Sequence, residues 1–130
     1  MAEVRRPLPR PVRLVVEAIE DRKGRSISVI DLRGVNDATD FFVIASGTSD
    51  AHVRGICDAV LERLETSGFR AHHVEGVTGG RWVLIDFVDF VVHLFHPQAR
   101  AFYQLERLWS DAPVVFSGPG GDQKGWSEQL

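Results

Sequence analysis

Residues 82–95 read WVLIDFVDFVVHLF, two apolar runs that sort their side chains when one folds back on the other. If Val88 and Asp89 form the turn, Trp82 lies opposite Phe95 and Phe87 opposite Phe90. One face of this hairpin is then entirely apolar; it carries Val83, Ile85, Phe87, Phe90, Val92 and Leu94. Because strand side chains alternate between faces, a slip of one residue would mix the two sets. The pattern therefore predicts an antiparallel hairpin with a strongly specified register.

The other face of the hairpin is mixed, and it carries Trp82, Leu84, Asp86, Val91, His93 and Phe95. Large apolar side chains accompanied by a few polar groups are typical of interface centres. If helices instead covered both faces, Trp82 and Phe95 would be ordinary core residues. Asp86 and His93 would then need buried partners, because an unpaired buried polar group costs about 1–3 kcal/mol. We therefore expect an open face that meets a protein partner.

Outside the hairpin, the clearest elements are a central strand and the helix that follows it. The near-continuous apolar run Phe41–Ser46 indicates a strand covered on both faces. Ser49 can cap the next helix, Asp50 complements its dipole, and Gly68 is a natural end. Between them runs a stripe at helical spacing, formed by Val53, Ile56, Cys57, Val60, Leu61 and Leu64. The pattern predicts a helix packed against the sheet.

Further elements complete a single α/β domain of roughly five strands and about three helices. Helical spacing predicts a first helix from Val12 to about Arg22 and a last one from Pro97 to about Trp109. Strands are predicted over Ile27–Leu32 and Phe69–Glu75, besides Phe41–Ser46 and the hairpin. The proposed division of the chain is a flexible segment over residues 1–11, a domain over 12–111 and a flexible tail over 112–130.

Charge and cysteine content narrow the class of partner and the compartment. The 130 residues carry a net charge of −3, and residues 1–13 hold four arginines and one glutamate. The remainder has 11 basic against 17 acidic residues, a net charge of −6, so direct nucleic-acid binding is not expected. A basic protein is the better electrostatic match. A single cysteine, Cys57, and no apolar run of membrane-spanning length favour a cytoplasmic protein without a membrane partner.

A catalytic alternative uses the turn Gly47-Thr48-Ser49-Asp50, between a strand and a helix, where backbone amides could hold a phosphate. Asp86 and Asp89 would be the carboxylate pair for magnesium, although nothing in their spacing requires them to converge. The histidines show no metal-ligand spacing; they are His52, His72, His73, His93 and His96. Cys57 lies on the apolar stripe and is expected to be a core residue. We expect no catalytic residue, no cofactor and no metal.

An ordered set of motifs resembles the ribosomal silencing factor family (RsfS, Iojap-related). The motifs are TDFFVIASG at residues 39–47 followed by Ser49, then Glu75-Gly76, WVLID at 82–86, VHLF at 92–95 and RAFYQLERLW at 100–109. No single motif is specific, but the ordered set is. The resemblance covers the chain from about Leu14 to Ala112.

The resemblance implies a nucleotidyltransferase-like mixed sheet flanked by helices, without that catalytic site. It implies docking on the fourteenth large-subunit ribosomal protein, which blocks joining of the small subunit and represses translation under nutrient limitation. Homodimers are also common in the family. Carried over to this chain, the docking surface comprises Glu75, Trp82, Leu84, Asp86, His93 and Phe95, with Trp82 as the anchor and Asp86 or Glu75 as the charge partner. The alternative is a factor for large-subunit assembly that represses nothing.

One position departs from the family pattern. Val88 stands where the family typically has glycine. A two-residue turn of the kind favoured in hairpins requires a positive φ there, which a β-branched residue resists. A four-residue loop from Phe87 to Phe90 would keep the same strand pairing.

Overall fold

The computed structural model of the chain describes residues 3–4, 8–99 and 113–117. Within these ranges, two helices are described in full, α1 (Arg10–Asp21) and α2 (Asp50–Thr66), and a third helix begins at residues 97–99. The strands are β1 (Glu3–Val4), β2 (Arg25–Asp31), β3 (Phe41–Ser46), β4 (His73–Glu75), β5 (Trp82–Asp86), β6 (Phe90–Phe95) and β7 (Val114–Ser117). The predicted continuation of the last helix to Trp109 lies outside the described residues.

The strands form one mixed sheet in the order β1-β7-β2-β3-β6-β5-β4. The pair β3–β6 is parallel, and the other neighbouring pairs are antiparallel. This architecture confirms the predicted α/β class. The parallel pair needs a crossover, which is provided by α2, β4 and β5 between β3 and β6.

In the described part of the chain the sheet has seven strands, whereas about five were predicted. The additional strands β1 and β7 lie in the segments 1–11 and 112–130, for which no fixed structure was predicted, so that prediction was wrong at both strands. Both strands are difficult to recognise from sequence. The run that becomes β7 is short and lies beside glycine-rich sequence, and β1 has only two residues, too few to show a periodic pattern. Pairing stabilises β7, because it lies against β2 and the Asp31 N–H donates to the Pro113 carbonyl oxygen at 2.9 Å.

The apolar face of the β5–β6 hairpin lies in the main core, as predicted. Its register runs from Trp82 opposite Phe95 to Asp86 opposite Val91, which confirms the predicted pairing. Four of its side chains are 0% exposed: Val83, Ile85, Val92 and Leu94. The helix α1 packs on β2 and β3, and α2 packs on β5 and β6, so both helices share this core. Burial of these side chains holds the hairpin register in place.

The turn between β5 and β6 is strained at Val88. The φ of Val88 is +77°, and the Asp89 N–H donates to the Phe87 carbonyl oxygen at 3.0 Å. A positive φ combined with a hydrogen bond between residues i and i+2 defines a γ-turn that is rare and strained. Two bonds hold it: Asp86 Oδ1 accepts from the Val88 N–H at 2.7 Å, and the Phe87 N–H donates to the Phe90 carbonyl oxygen at 2.9 Å. The strand pairing thus forces a β-branched residue into a glycine conformation.

Replacing Val88 by glycine is expected to raise the free energy of unfolding by about 1 kcal/mol, since the relief of strain exceeds the entropic cost of glycine. The Val88 side chain is 54% exposed, so little burial is lost. Thermal unfolding should show a midpoint higher by about 4 °C. The matched control is Val35→Gly, because Val35 is also exposed but lies outside the left-handed region. The control should lower the midpoint, and a fall for both variants would contradict the strain at Val88.

Candidate functional site

The second face of the sheet is exposed at the β4 edge and buried towards its middle. Because residues opposite each other in neighbouring strands share a face, Glu75 of β4 joins Leu84 of β5. Glu75 is exposed, whereas Trp82, Leu84 and Asp86 are half-buried. We call these four residues, Glu75, Trp82, Leu84 and Asp86, the edge surface. Six residues were predicted to bind a partner, and the structure places four of them together on one accessible part of the sheet.

The remaining two predicted residues, His93 and Phe95, are buried. Their exposed fractions are 4% and 0%. Phe95 belongs to a second apolar cluster, whose other buried members among the described residues are Ile30, Leu32, Ile44, Ala99 and Val114. Val114 of β7 extends this face within the same sheet, and Ala99 at the start of the third helix belongs to the same cluster. The expectation of a fully open face was wrong at these two positions, because the alternation within the hairpin does not show what packs against its second face.

Trp82 lies at the boundary between the edge surface and this second cluster. Its indole stacks on the Phe95 ring with centroids 5.2 Å apart and an angle of 27° between the planes. The indole Nε1–H donates a hydrogen bond to Nδ1 of His93 at 3.1 Å. The His93 ring in turn lies edge-on to Phe42, with centroids 4.7 Å apart. The indole is therefore held by a stacked ring and a hydrogen bond while part of it remains accessible.

His93 combines one satisfied ring nitrogen with one unsatisfied one. Since Nδ1 accepts from Trp82, the neutral ring carries its proton on Nε2. That Nε2 is buried and has no hydrogen-bond partner in the part of the chain that the structure describes. Burial lowers the pKa of His93 to about 4, so the ring stays neutral near pH 7 and its Nδ1 can accept the hydrogen bond from the indole N–H. An unpaired buried donor costs about 1–3 kcal/mol, which makes His93 a costly residue for packing alone.

The edge surface also presents negative charge. The Glu75 carboxylate accepts from Nε2 of the exposed His73 at 2.6 Å, and Asp86 Oδ1 caps the hairpin turn. Within the described residues, neither carboxylate forms an ion pair with a lysine or arginine. The surface therefore combines a fixed aromatic ring, an apolar side chain and two carboxylates, which suits a basic protein partner.

Gly76 also belongs to the site, although in the sequence it stands out only as part of the Glu75-Gly76 motif. Its φ is +84°, and a Cβ built on it would overlap the carbonyl oxygen of Trp82. The loop that starts at Gly76 therefore packs backbone to backbone against Trp82, between Glu75 and the strand β5. A sequence signal existed in the Glu75-Gly76 pair, but a glycine after a short strand predicts a turn without showing what it touches.

The turn Gly47–Asp50 was considered as a phosphate site, but side chains of the same segment already form hydrogen bonds with its backbone amides. Ser49 Oγ accepts from the His52 N–H at 3.0 Å, and His52 Nδ1 accepts from the Thr48 N–H at 2.8 Å. The Nε2 of the same imidazole bonds to the Arg22 carbonyl oxygen at 2.7 Å, which ties the turn to the end of α1. Two of the amides that a phosphate would need are thus already occupied.

Neither the metal-binding side chains nor the cysteine thiol indicates a reactive centre in the described residues. Among the described residues there is no group of three or more His, Cys, Asp or Glu side chains arranged to hold a metal ion. Cys57 is buried on α2, and burial raises the pKa of its thiol to about 11, so it is protonated near pH 7.

None of the helices in the described ranges has both the length and the apolar character needed to cross a bilayer.

Comparison with known proteins places this fold and these motifs in one family. The family model described as "Ribosomal silencing factor during starvation" (RsfS) matches residues 6–129. A protein named ribosomal silencing factor RsfS, from Halalkalibacterium halodurans, is 38% identical over 104 residues, which are 80% of this chain and 89% of that protein. A crystal structure of a Chromobacterium violaceum protein superposes with a TM-score of 0.77 at 32% identity and covers 80% of this chain and 87% of that one.

A more distant relative carries a different name. The mouse protein named "Mitochondrial assembly of ribosomal large subunit protein 1" is 31% identical over 100 residues, which are 75% of this chain and 44% of that protein. The matched residues of the family model include the whole β4–β6 edge and the second apolar cluster. The chain therefore belongs to the ribosomal silencing factor family.

Proposed function

We propose that this protein docks on the large ribosomal subunit through the subunit's fourteenth protein and sterically blocks joining of the small subunit. Translation is thereby repressed when nutrients are limiting. The protein acts by occupying a surface and not by catalysis. Trp82 is the anchor, Leu84 packs beside it, and Glu75 and Asp86 meet basic groups of the partner. His93 and Phe95 support the anchor from beneath.

The proposal is supported above all by Trp82, whose indole is fixed in place but remains partly accessible. Partly accessible indoles are among the strongest anchors of protein interfaces, because they bury a large area with few rotatable bonds. Here the ring is already held by Phe95 and His93, so little conformational entropy is lost when a partner covers it. The adjacent carboxylates give the surface the sign that a basic ribosomal protein requires.

Purified small and large subunits test the blocking step directly. The protein is added to mature large subunits before small subunits and magnesium, and the products are separated on a sucrose gradient. We expect the peak of joined ribosomes to fall in proportion to the protein added, with the protein migrating with the large subunit. Normal joining in the presence of saturating bound protein would contradict the blocking mechanism.

Charge reversal tests the electrostatic part of the docking surface. Replacing Glu75 by lysine is expected to weaken binding to the purified fourteenth large-subunit protein by about tenfold at low salt, with a smaller effect at high salt. The matched control is Glu62→Lys, since Glu62 is also exposed but lies on α2, outside the edge surface. Equal effects of the two substitutions would show that net charge, and not the edge surface, controls binding.

A role in assembly of the large subunit without repression is the second candidate, favoured by the name of the mouse relative. It predicts that mature subunits join normally in the presence of the protein, while cells lacking it accumulate incomplete large subunits. The gradient experiment separates the two roles, because only the repressor changes the behaviour of finished subunits.

Two further features belong to the proposal. We infer that the protein forms a homodimer in solution, which sedimentation of the purified protein at several concentrations tests. We also infer that it binds the subunit without direct nucleic-acid contacts, in keeping with the net charge of −3. Binding to the isolated fourteenth protein should then approach the affinity measured with whole large subunits.

A further inference from the structure

We propose that His93 is a positioning residue that holds the Trp82 indole ready for docking and that it is retained at a cost in stability. This role rests on the proposed docking function. The sequence instead suggested that His93 contacts the partner directly. A side chain that is 4% exposed beneath the anchor acts through the anchor.

Packing alone does not explain a histidine at this position. The ring lies among other rings, edge-on to Phe42 and nearly parallel to Phe95, with centroids 4.7 Å and 6.3 Å away. A phenylalanine has a similar shape and would fill this space without bringing a buried donor. Histidine instead places an Nε2–H where no described residue accepts it. Its presence therefore requires a benefit that an apolar ring does not provide.

The benefit is the acceptor at Nδ1. The indole Nε1–H of Trp82 donates to this atom at 3.1 Å, and burial keeps the imidazole neutral, so the acceptor is present across the physiological pH range. Stacking on Phe95 restricts the tilt of the indole, but a stacked ring can still slide and rotate in its plane. The directed hydrogen bond removes that freedom. An anchor that is ordered before binding loses less entropy when the partner arrives.

Two substitutions separate this role from a purely structural one. His93→Phe keeps the ring and removes both the acceptor and the unpaired donor. His93→Asn is smaller, but its side-chain oxygen can take the place of Nδ1. We expect thermal stability to fall in the order Phe, His, Asn, with the Phe variant melting a few degrees higher than the natural protein. Docking should follow a different order, His, Asn, Phe, with about a tenfold weaker affinity for the Phe variant.

Docking is measured by co-sedimentation with purified large subunits, and the indole is observed by NMR. The Trp82 indole N–H signal, identified by its loss in Trp82→Phe, should move upfield and exchange faster with solvent in His93→Phe but not in His93→Asn. His72→Phe is the control, since His72 is exposed and the substitution should leave this signal and the affinity unchanged.

The outcomes distinguish the inference from the function on which it rests. Normal docking by His93→Phe, together with lost docking by Trp82→Ala, would overturn the positioning role and leave the docking function intact. Docking that falls in parallel with stability across the two His93 variants would also overturn it, as would an unchanged indole signal in His93→Phe. Normal docking by Trp82→Ala would instead overturn the proposed docking surface itself.

Discussion

Replacing Trp82 by alanine is expected to lower the affinity for purified large subunits by about a hundredfold, enough to abolish co-sedimentation at micromolar concentrations. The substitution removes the part of the indole that a partner would cover, and it also leaves His93 without its donor. Central aromatic residues dominate the free energy of many protein interfaces because they fill pockets from which water is excluded. Quantitative co-sedimentation over a range of protein concentrations measures the effect.

The fold should survive this substitution. Trp82 is half-buried at the margin of the second cluster, so its loss should cost about 2 kcal/mol, less than a fully buried aromatic would. Circular dichroism before and after thermal unfolding checks this. Val35→Ala is the control, because it truncates a side chain that is 45% exposed in the β2–β3 connection, at the other end of the strands. Retained affinity in a folded Trp82→Ala variant would refute the docking surface.

Replacing Gly76 by alanine is expected to lower the free energy of unfolding by about 3 kcal/mol. The alanine Cβ would overlap the Trp82 carbonyl oxygen, and the φ of +84° is one that L residues rarely adopt. The loop must therefore move away from β5, and the hydrogen bond from the Gly80 N–H to the Gly76 carbonyl oxygen, 3.0 Å long, is disturbed. Chemical denaturation measures the loss in free energy of unfolding, provided that its dependence on denaturant concentration (the m value) is the same for both proteins.

The same loop provides the control. A Cβ at Gly79 would meet no atom within 4 Å, and Gly79 lies outside the left-handed region, so Gly79→Ala should change stability by less than about 0.5 kcal/mol. A difference between the two variants isolates the close approach at Trp82 from the general effect of removing a loop glycine. If Gly76→Ala unfolded with the same midpoint as Gly79→Ala, the contact between Gly76 and Trp82 would not contribute to stability.

Local patterns predicted the elements that border the site. The bounds of β3 agree with the apolar run Phe41–Ser46, and Ser49 caps α2 by accepting the His52 N–H, as expected. The pairing of β5 with β6 follows from the alternation of apolar residues along residues 82–95. These features could be predicted because their causes lie within a few residues of each other, in side-chain alternation, capping and turn geometry.

Burial at the site could not be predicted in the same way. His93 and Phe95 alternate with core residues of β6, which correctly places them on the second face, but both are buried there, and Phe95 shares a cluster with Ala99 and Val114. Val114 joins this cluster through the pairing of β7 with β2, strands that are more than 80 residues apart in sequence. No periodicity within either segment encodes that pairing.

The amino-acid order alone thus established which residues of the hairpin share a face and the family to which the motifs point, because alternation and ordered motifs are local properties. The folded chain divided that face into an accessible edge with Trp82 and a buried interior with His93 and Phe95. Folding also connects the accessible edge to the buried interior, through the hydrogen bond from the Trp82 indole to Nδ1 of His93. Burial depends on which distant segments come to lie over a surface, and only the complete set of packed elements determines that.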